Sequence, residues 1–223
     1  TLTYGEKYVN FGDSLIKQLN DMGYHVFVLT NEMSHYQKSD LLTPVEYTKK
    51  YFSFHEKRII VQECLKYYDT AIFLDSDVYI QDVENLDIFE NIENGLHIFS
   101  NFGDIGLTFL NDDISLCEVV GRRNTKYGKE GLNKLYEMNL KFEKMYDDVI
   151  KGYLEHFLEG RWIIKKDDGK EKKFFEIWDS LVEFCESFDI KNGYVDSVGA
   201  GEGSIMSIAA YNSDIKLNNI SSL

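Results

Sequence analysis

The sequence predicts an α/β fold: a Rossmann-type, mostly parallel central sheet flanked by helices, followed by a less regular second half. Three observations carry this. Through the first ninety or so residues, short apolar runs alternate with amphipathic helical stretches, the pattern of strand–helix–strand units. The run Asp69-Thr-Ala-Ile-Phe-Leu-Asp-Ser-Asp-Val-Tyr-Ile80 is a buried-type strand interrupted by two carboxylates, Asp75 and Asp77. A glycine-rich loop, Gly199-Ala-Gly-Glu-Gly-Ser204, opens the last helix.

Taken in order, Thr1-Leu-Thr3 reads as the tail of a strand, with any targeting segment lying upstream. Tyr8 to Met22 places Phe11, Leu15, Leu19 and Met22 at helical spacing, and Gly23 stops the helix. His25–Leu29 is a short buried strand ending at Thr30 and Asn31. A polar loop containing Pro44 leads to a helix over Phe54–Tyr67, with Lys57 and Arg58 in its first turns and an apolar face of Ile59, Ile60, Cys64 and Leu65. The Asp75/Asp77 strand follows directly. Gly95–Ser100 and Ile105–Leu110 read as strands joined by a turn at Asn101–Asp104, and Lys129 to about Leu158 as a long helix. Arg161–Ile164 is a strand, Lys166–Gly169 a turn, Phe174–Phe188 an amphipathic helix and Ile205–Tyr211 a small apolar one. The simplest organisation is one domain over residues 1–223, with 1–90 as a nucleotide-type part and 91–223 as a less regular second part.

Composition narrows the function. A net charge of −14 excludes a surface built for nucleic acid or anionic lipid, which calls for basic patches. It would also repel a phosphorylated substrate unless a cation or local Lys and Arg screened it. No run of apolar residues is long enough to span a membrane. The 3 cysteines, Cys64, Cys117 and Cys185, lack metal-ligand spacing and read as reduced core residues, which points to a reducing, cytoplasmic setting.

The chemistry centres on Asp75 and Asp77. In an extended chain, side chains two apart point to the same side, so the strand would present both carboxylates together. Acidic pairs also occur in exposed turns. Here, however, apolar residues flank the pair on both sides, and burying two unpaired carboxylates is costly, which favours a bound divalent cation. Lys57 or Arg58 would neutralise a substrate phosphate; the alternative is an exposed helix face. Glu202, between Gly201 and Gly203, is either a site carboxylate or a helix-start acid favoured by the macrodipole, and Asp196 is a second candidate. The histidines show no pairing with Ser or Cys, and Trp162 and Trp178 read as core.

These features resemble the GT-A class of glycosyltransferases, which use nucleotide-sugar donors and a metal held by an Asp-x-Asp motif. The likeness runs in order from Thr3-Tyr4-Gly5 through Val28-Leu-Thr-Asn31 and the basic helix start to Phe73-Leu-Asp-Ser-Asp77. It implies that Thr3 and Tyr4 touch the nucleotide base, that Asn31 lies beside it, and that Asp75 faces ribose and metal. Asp77 would be the direct metal ligand, with Ser76 among the donor-binding residues. It also supports Glu202, since retaining members carry an acidic residue at such a helix start beside the sugar. Members often recruit a late histidine as a third ligand, whereas the last one here is His156. The implied activity is transfer of a sugar from a nucleotide-diphosphate sugar, UDP-linked for preference, to an acceptor hydroxyl with Mn²⁺ or Mg²⁺. A haloacid-dehalogenase-like phosphatase with Asp75 as nucleophile, a sugar-phosphate nucleotidyltransferase and a non-catalytic binding module are the competing readings.

Overall fold

A computed structural model describes residues 1–49, 52–80, 91–98, 160–186 and 202–220. The expected elements over 105–110 and 129–158, together with Asp196, Cys117 and His156, lie outside the described residues.

The chain opens with β1 (Leu2–Thr3), α1 (Glu6–Asp21), β2 (Val26–Thr30) and β3 (Leu42–Glu46), and β1-β2-β3 form a parallel sheet. Helix α1 follows Gly5, whose φ of 78° is a glycine conformation, and buries Val9, Gly12, Leu15 and Ile16 at helical spacing. It closes as a Schellman motif. Gly23 donates to Asn20 O and Tyr24 to Leu19 O, satisfying carbonyls that the helix end would orphan.

Strand β3 corrects the sequence reading, which made the segment around Pro44 a polar loop. Pro44 lies opposite Val28, on a strand hydrogen-bonded to β2 alone. An edge strand tolerates proline because the missing N–H need serve only one neighbour.

A single turn of 3₁₀ helix (Phe54–Glu56) leads into α2 (Lys57–Leu65), and β4 (Thr70–Leu74) follows. The expected strand through Ile80 stops at Leu74. Strand β4 also departs from the parallel sheet that the repeated strand–helix–strand pattern predicts. It pairs antiparallel with β6 (Arg161–Lys165) in a mixed sheet of order β4-β6-β5-β7, where β5 is Gly95–Ile98 and β7 is Leu217–Asn219. The α/β class stands, with a parallel three-stranded sheet beside a mixed four-stranded one.

Helices α3 (Lys170–Glu186) and α4 (Glu202–Ser213) pack on each other and into the main core. That core joins Leu29 and Phe27 of the first sheet to Phe73, Leu96 and Ile164 of the second, and to Phe174, Leu181, Met206 and Ala209 of the two helices. Trp162 and Trp178 sit fully buried at its centre, their ring centroids 6.0 Å apart. At the start of α3 the Glu171 carboxylate accepts from the backbone N–H of Gly169 (3.1 Å), the residue before the helix, and of Asp167 (2.8 Å) in the turn leading into it.

Gly95 begins β5 with a φ of 124°, and a Cβ there would lie 2.3 Å from the Lys216 carbonyl oxygen that Leu96 N–H binds. Both the backbone conformation and the β5–β7 pairing require glycine. Gly95→Ala is expected to cost about 2 kcal/mol or more, measured as a lower urea midpoint.

Candidate active site

Because β1, β2 and β3 run parallel and pair in register at Thr3, Thr30 and Glu46, the next residues form one row at their carboxyl ends. That row is Tyr4, Asn31 and Tyr47. In open α/β sheets this edge is where ligands bind. Asn31 Oδ1 accepts from Gly5 N–H at 2.9 Å and its Nδ2 donates to Glu32 Oε1 at 3.2 Å, so its amide ties the β2 end to the turn before α1. The Tyr4 ring packs against Tyr47 (5.0 Å) and Phe52 (5.3 Å). Phe52 in turn stacks on Tyr8 (6.3 Å) and meets Phe54 edge-on at 4.6 Å. Thr3 lies differently from the sequence expectation of a base contact. Its side chain is enclosed under α1, against Gly12, where a Cβ would fall 2.5 Å from Thr3 Cγ2.

The carboxylate side of the site is built by the end of β4. Asp75 N–H donates to Gly160 O at 2.8 Å, continuing the β4–β6 ladder one residue past the strand. Val78 N–H then returns to Asp75 O at 3.1 Å, closing a turn over Asp75-Ser76-Asp77-Val78. Alternation along a strand therefore does not place Asp77. Asp75 is partly buried, Ser76 buried and Asp77 exposed on that turn. No group of three or more His, Cys, Asp or Glu side chains that could hold a metal occurs among the described residues.

Lys57 points inward rather than to solvent. It is 1% exposed, its Nζ lies 3.0 Å from Asp75 Oδ1, and it sits over the rings of Phe54 (5.6 Å) and Phe73 (5.2 Å). A buried ammonium is tolerated only with such partners: an opposite charge and aromatic faces that present negative potential. The expected apolar face of α2 is accordingly shifted, with Ile60 and Leu65 buried as expected but Ile59 turned out and Lys57 turned in. Ile59 is exposed, whereas Lys57 lies with Ile60, Val61 and Leu65 on the buried side.

Arg58 is buried too, in a separate charge network. It donates to Asp179 Oδ1 (2.5 Å), His55 O (2.9 Å) and Glu56 Oε1 (2.8 Å), and Lys49 Nζ stands 2.8 Å from the same Glu56 oxygen. Burial alone pulls the Arg58 pKa down, but Glu56 and Asp179 outweigh it and hold the pKa above its usual value. Arg58 thus fastens α2 to α3 and is not presented to a ligand as the sequence suggested.

Contacts run without a break from the sheet edge to the carboxylate: Tyr4 to Phe52, Phe52 to Phe54, Phe54 to Lys57, and Lys57 to Asp75. The structure thereby brings together Tyr4, Lys57 and Asp75, with Ser76 and Asp77 following on the turn. Glu202 is the first residue of α4, as its glycine flanks suggested, and its side chain is not described. Sequence reasoning missed Phe52, Phe54 and Gly160, and the network residues Lys49, Glu56 and Asp179. For Lys57, which was named for its charge, the sequence also carried a signal of burial, since Lys57, Val61 and Leu65 fall at four-residue spacing on one helical face.

Cys64 is a free cysteine, half-buried, and burial pushes its thiol up to about 11 against the pull of the terminal amino group. Among the described residues no helix is long and apolar enough to cross a membrane. Compared with protein-family models, with curated proteins and with solved structures, the chain matches none.

Proposed function

We propose that the protein is a GT-A-like glycosyltransferase that takes a sugar from a nucleotide-diphosphate sugar, UDP-linked for preference, and passes it to an acceptor hydroxyl. The observation that carries this reading is the continuity of an aromatic row at the carboxyl edge of a parallel sheet with a lysine-held carboxylate at the end of β4. An aromatic row suits a base, which stacks on ring faces. Carboxylates beside it suit a substrate whose phosphates arrive with a cation.

The donor set fits a divalent ion that the substrate helps to hold. Asp75 and Asp77 supply hard oxygen donors, and their small number leaves positions for phosphate oxygens and water, as Mg²⁺ or Mn²⁺ sites on phosphates require. When bound, such an ion stabilises the charge of the departing nucleotide diphosphate. Asp77, exposed on the turn, would ligate such an ion directly, while Asp75 is held in place by Lys57. Lys57 therefore acts on the donor through Asp75 and not as a direct phosphate ligand. Glu202, at the first turn of α4, would stabilise positive charge developing on the sugar or orient the acceptor hydroxyl, with Asp196 as the alternative.

A phosphatase is favoured by one observation, the lysine beside Asp75, since a cation also keeps a nucleophilic carboxylate ionised. Product analysis separates the two. With Mn²⁺, a UDP-sugar should be slowly hydrolysed to UDP even without acceptor, and sugar phosphates with Mg²⁺ should release no phosphate. Rapid phosphate release, with beryllofluoride trapped on Asp75, would reverse the ranking.

A further inference from the structure

The geometry points to Lys57 and Gly160 as a pair of positioning residues that set the Asp75 carboxylate in one orientation before any ligand arrives. The functional half of this inference rests on the reading of Asp75 as a cation-binding carboxylate, while the structural half does not.

A carboxylate at a strand end, with its side chain 34% exposed, has rotamers open to it and loses their entropy when a ligand fixes one. Asp75 is restrained from separate parts of the chain. Its backbone N–H is bound by Gly160 O at 2.8 Å, which fixes where the side chain begins. Lys57 Nζ lies 3.0 Å from Oδ1, and that ammonium cannot swing away with the carboxylate, being buried and lodged over Phe54 and Phe73. The third restraint is a space. Oδ2 lies where Gly160 has no side chain: a Cβ there would stand 2.9 Å from Oδ2 and 3.7 Å from Cγ. That separation is below van der Waals contact, so with any larger residue at 160 the carboxylate or the backbone beside it must shift.

Gly160 precedes β6 by one residue, and the space its missing side chain leaves is the space beside the Asp75 carboxylate. Lysine holds one oxygen of the carboxylate and the missing side chain at 160 makes room for the other, the arrangement of a support that orients a ligating group.

The test is a double-mutant cycle read in two ways. Gly160→Ala and Asp75→Ala are made singly and together, and Lys57→Met is added as an independent perturbation of the same carboxylate. In urea unfolding, Gly160→Ala should lower the midpoint in the parent and leave it nearly unchanged where Asp75 is already alanine, since the clash has then been removed. Equal loss in both backgrounds would overturn the positioning role. The second readout is Mn²⁺ affinity in the presence of UDP, followed by the electron paramagnetic resonance signal of free Mn²⁺. Gly160→Ala, and Lys57→Met where it folds, should weaken it about 10- to 100-fold. Parental affinity in Gly160→Ala would show that the site does not use the orientation, and the inference would fall. Should the parent itself bind no Mn²⁺ with UDP, the glycosyltransferase reading fails, and the urea cycle still decides whether Lys57 and Gly160 position Asp75.

Discussion

Replacing Arg58 by methionine is expected to destabilise the protein by about 3 kcal/mol, the lower end of the range for breaking a buried ion pair. Methionine keeps much of the length and apolar stem, so the loss measures the guanidinium. What remains is Glu56, whose side chain is 3% exposed, still paired with Lys49 but deprived of its second cation. Lys49 is the reason to expect the lower end and not the upper. Asp179, 41% exposed, recovers hydration and contributes little to the penalty. For a chain of this size the loss corresponds to a fall in Tm of about 6–12 °C. The same change in a Glu56→Gln background should cost clearly less, because no charge is left stranded. A fall in Tm of less than about 2 °C on Arg58→Met would show that the network is dispensable.

That network shows where a single sequence stops being informative. The elements whose periodicity is strong were legible: α1 from Leu15 and Leu19, β2 from its unbroken apolar run, β6 and the glycine-framed start of α4. Strand β3 was not, because Pro44 and the polar residues around it lack the signature of a strand. Its existence depends on β2 offering an unpaired edge, which no local window contains. Strand β7, with the sequence Leu-Asn-Asn, is specified in the same way by β5.

The site divides along the same line. Asp75 and Asp77 were visible because carboxylates inside an apolar run conflict with burial, and such local conflicts single out candidate positions. The direction of their side chains was not, since it follows from a turn after Leu74 that the apolar Val78 and Ile80 disguise. Lys57 and Arg58 were noticed for their charge and read either as phosphate-neutralising groups or as an exposed helix face, and both readings left them accessible to solvent. Burial of both depends on partners 18 and 121 residues away, Asp75 and Asp179, which only the folded chain brings near. The long-range pairing of α2 with α3 leaves no trace in either helix alone.

Asp77→Asn should leave stability close to that of the parent and remove metal-dependent turnover. The argument separates the two carboxylates of the turn. Asp75 is tied into the fold by Lys57 and Gly160, so its substitution disturbs structure and function together, whereas Asp77 is exposed and its amide isostere changes charge without changing shape. A direct cation ligand contributes several kcal/mol to stabilising the departing diphosphate, so kcat/KM for UDP-sugar hydrolysis should fall about 10³-fold. UDP binding measured by calorimetry should lose its dependence on Mn²⁺ at the same time. Glu202→Gln provides the contrast. A carboxylate that acts on the sugar only as its bond breaks should lower kcat by about 10²-fold and leave Mn²⁺-dependent UDP affinity nearly untouched. The two variants thus predict opposite patterns, one losing binding with turnover and the other turnover alone. If Asp77→Asn binds UDP and Mn²⁺ as the parent does, the cation is not held by this turn, and the assignment of the acidic pair fails whatever Glu202 does.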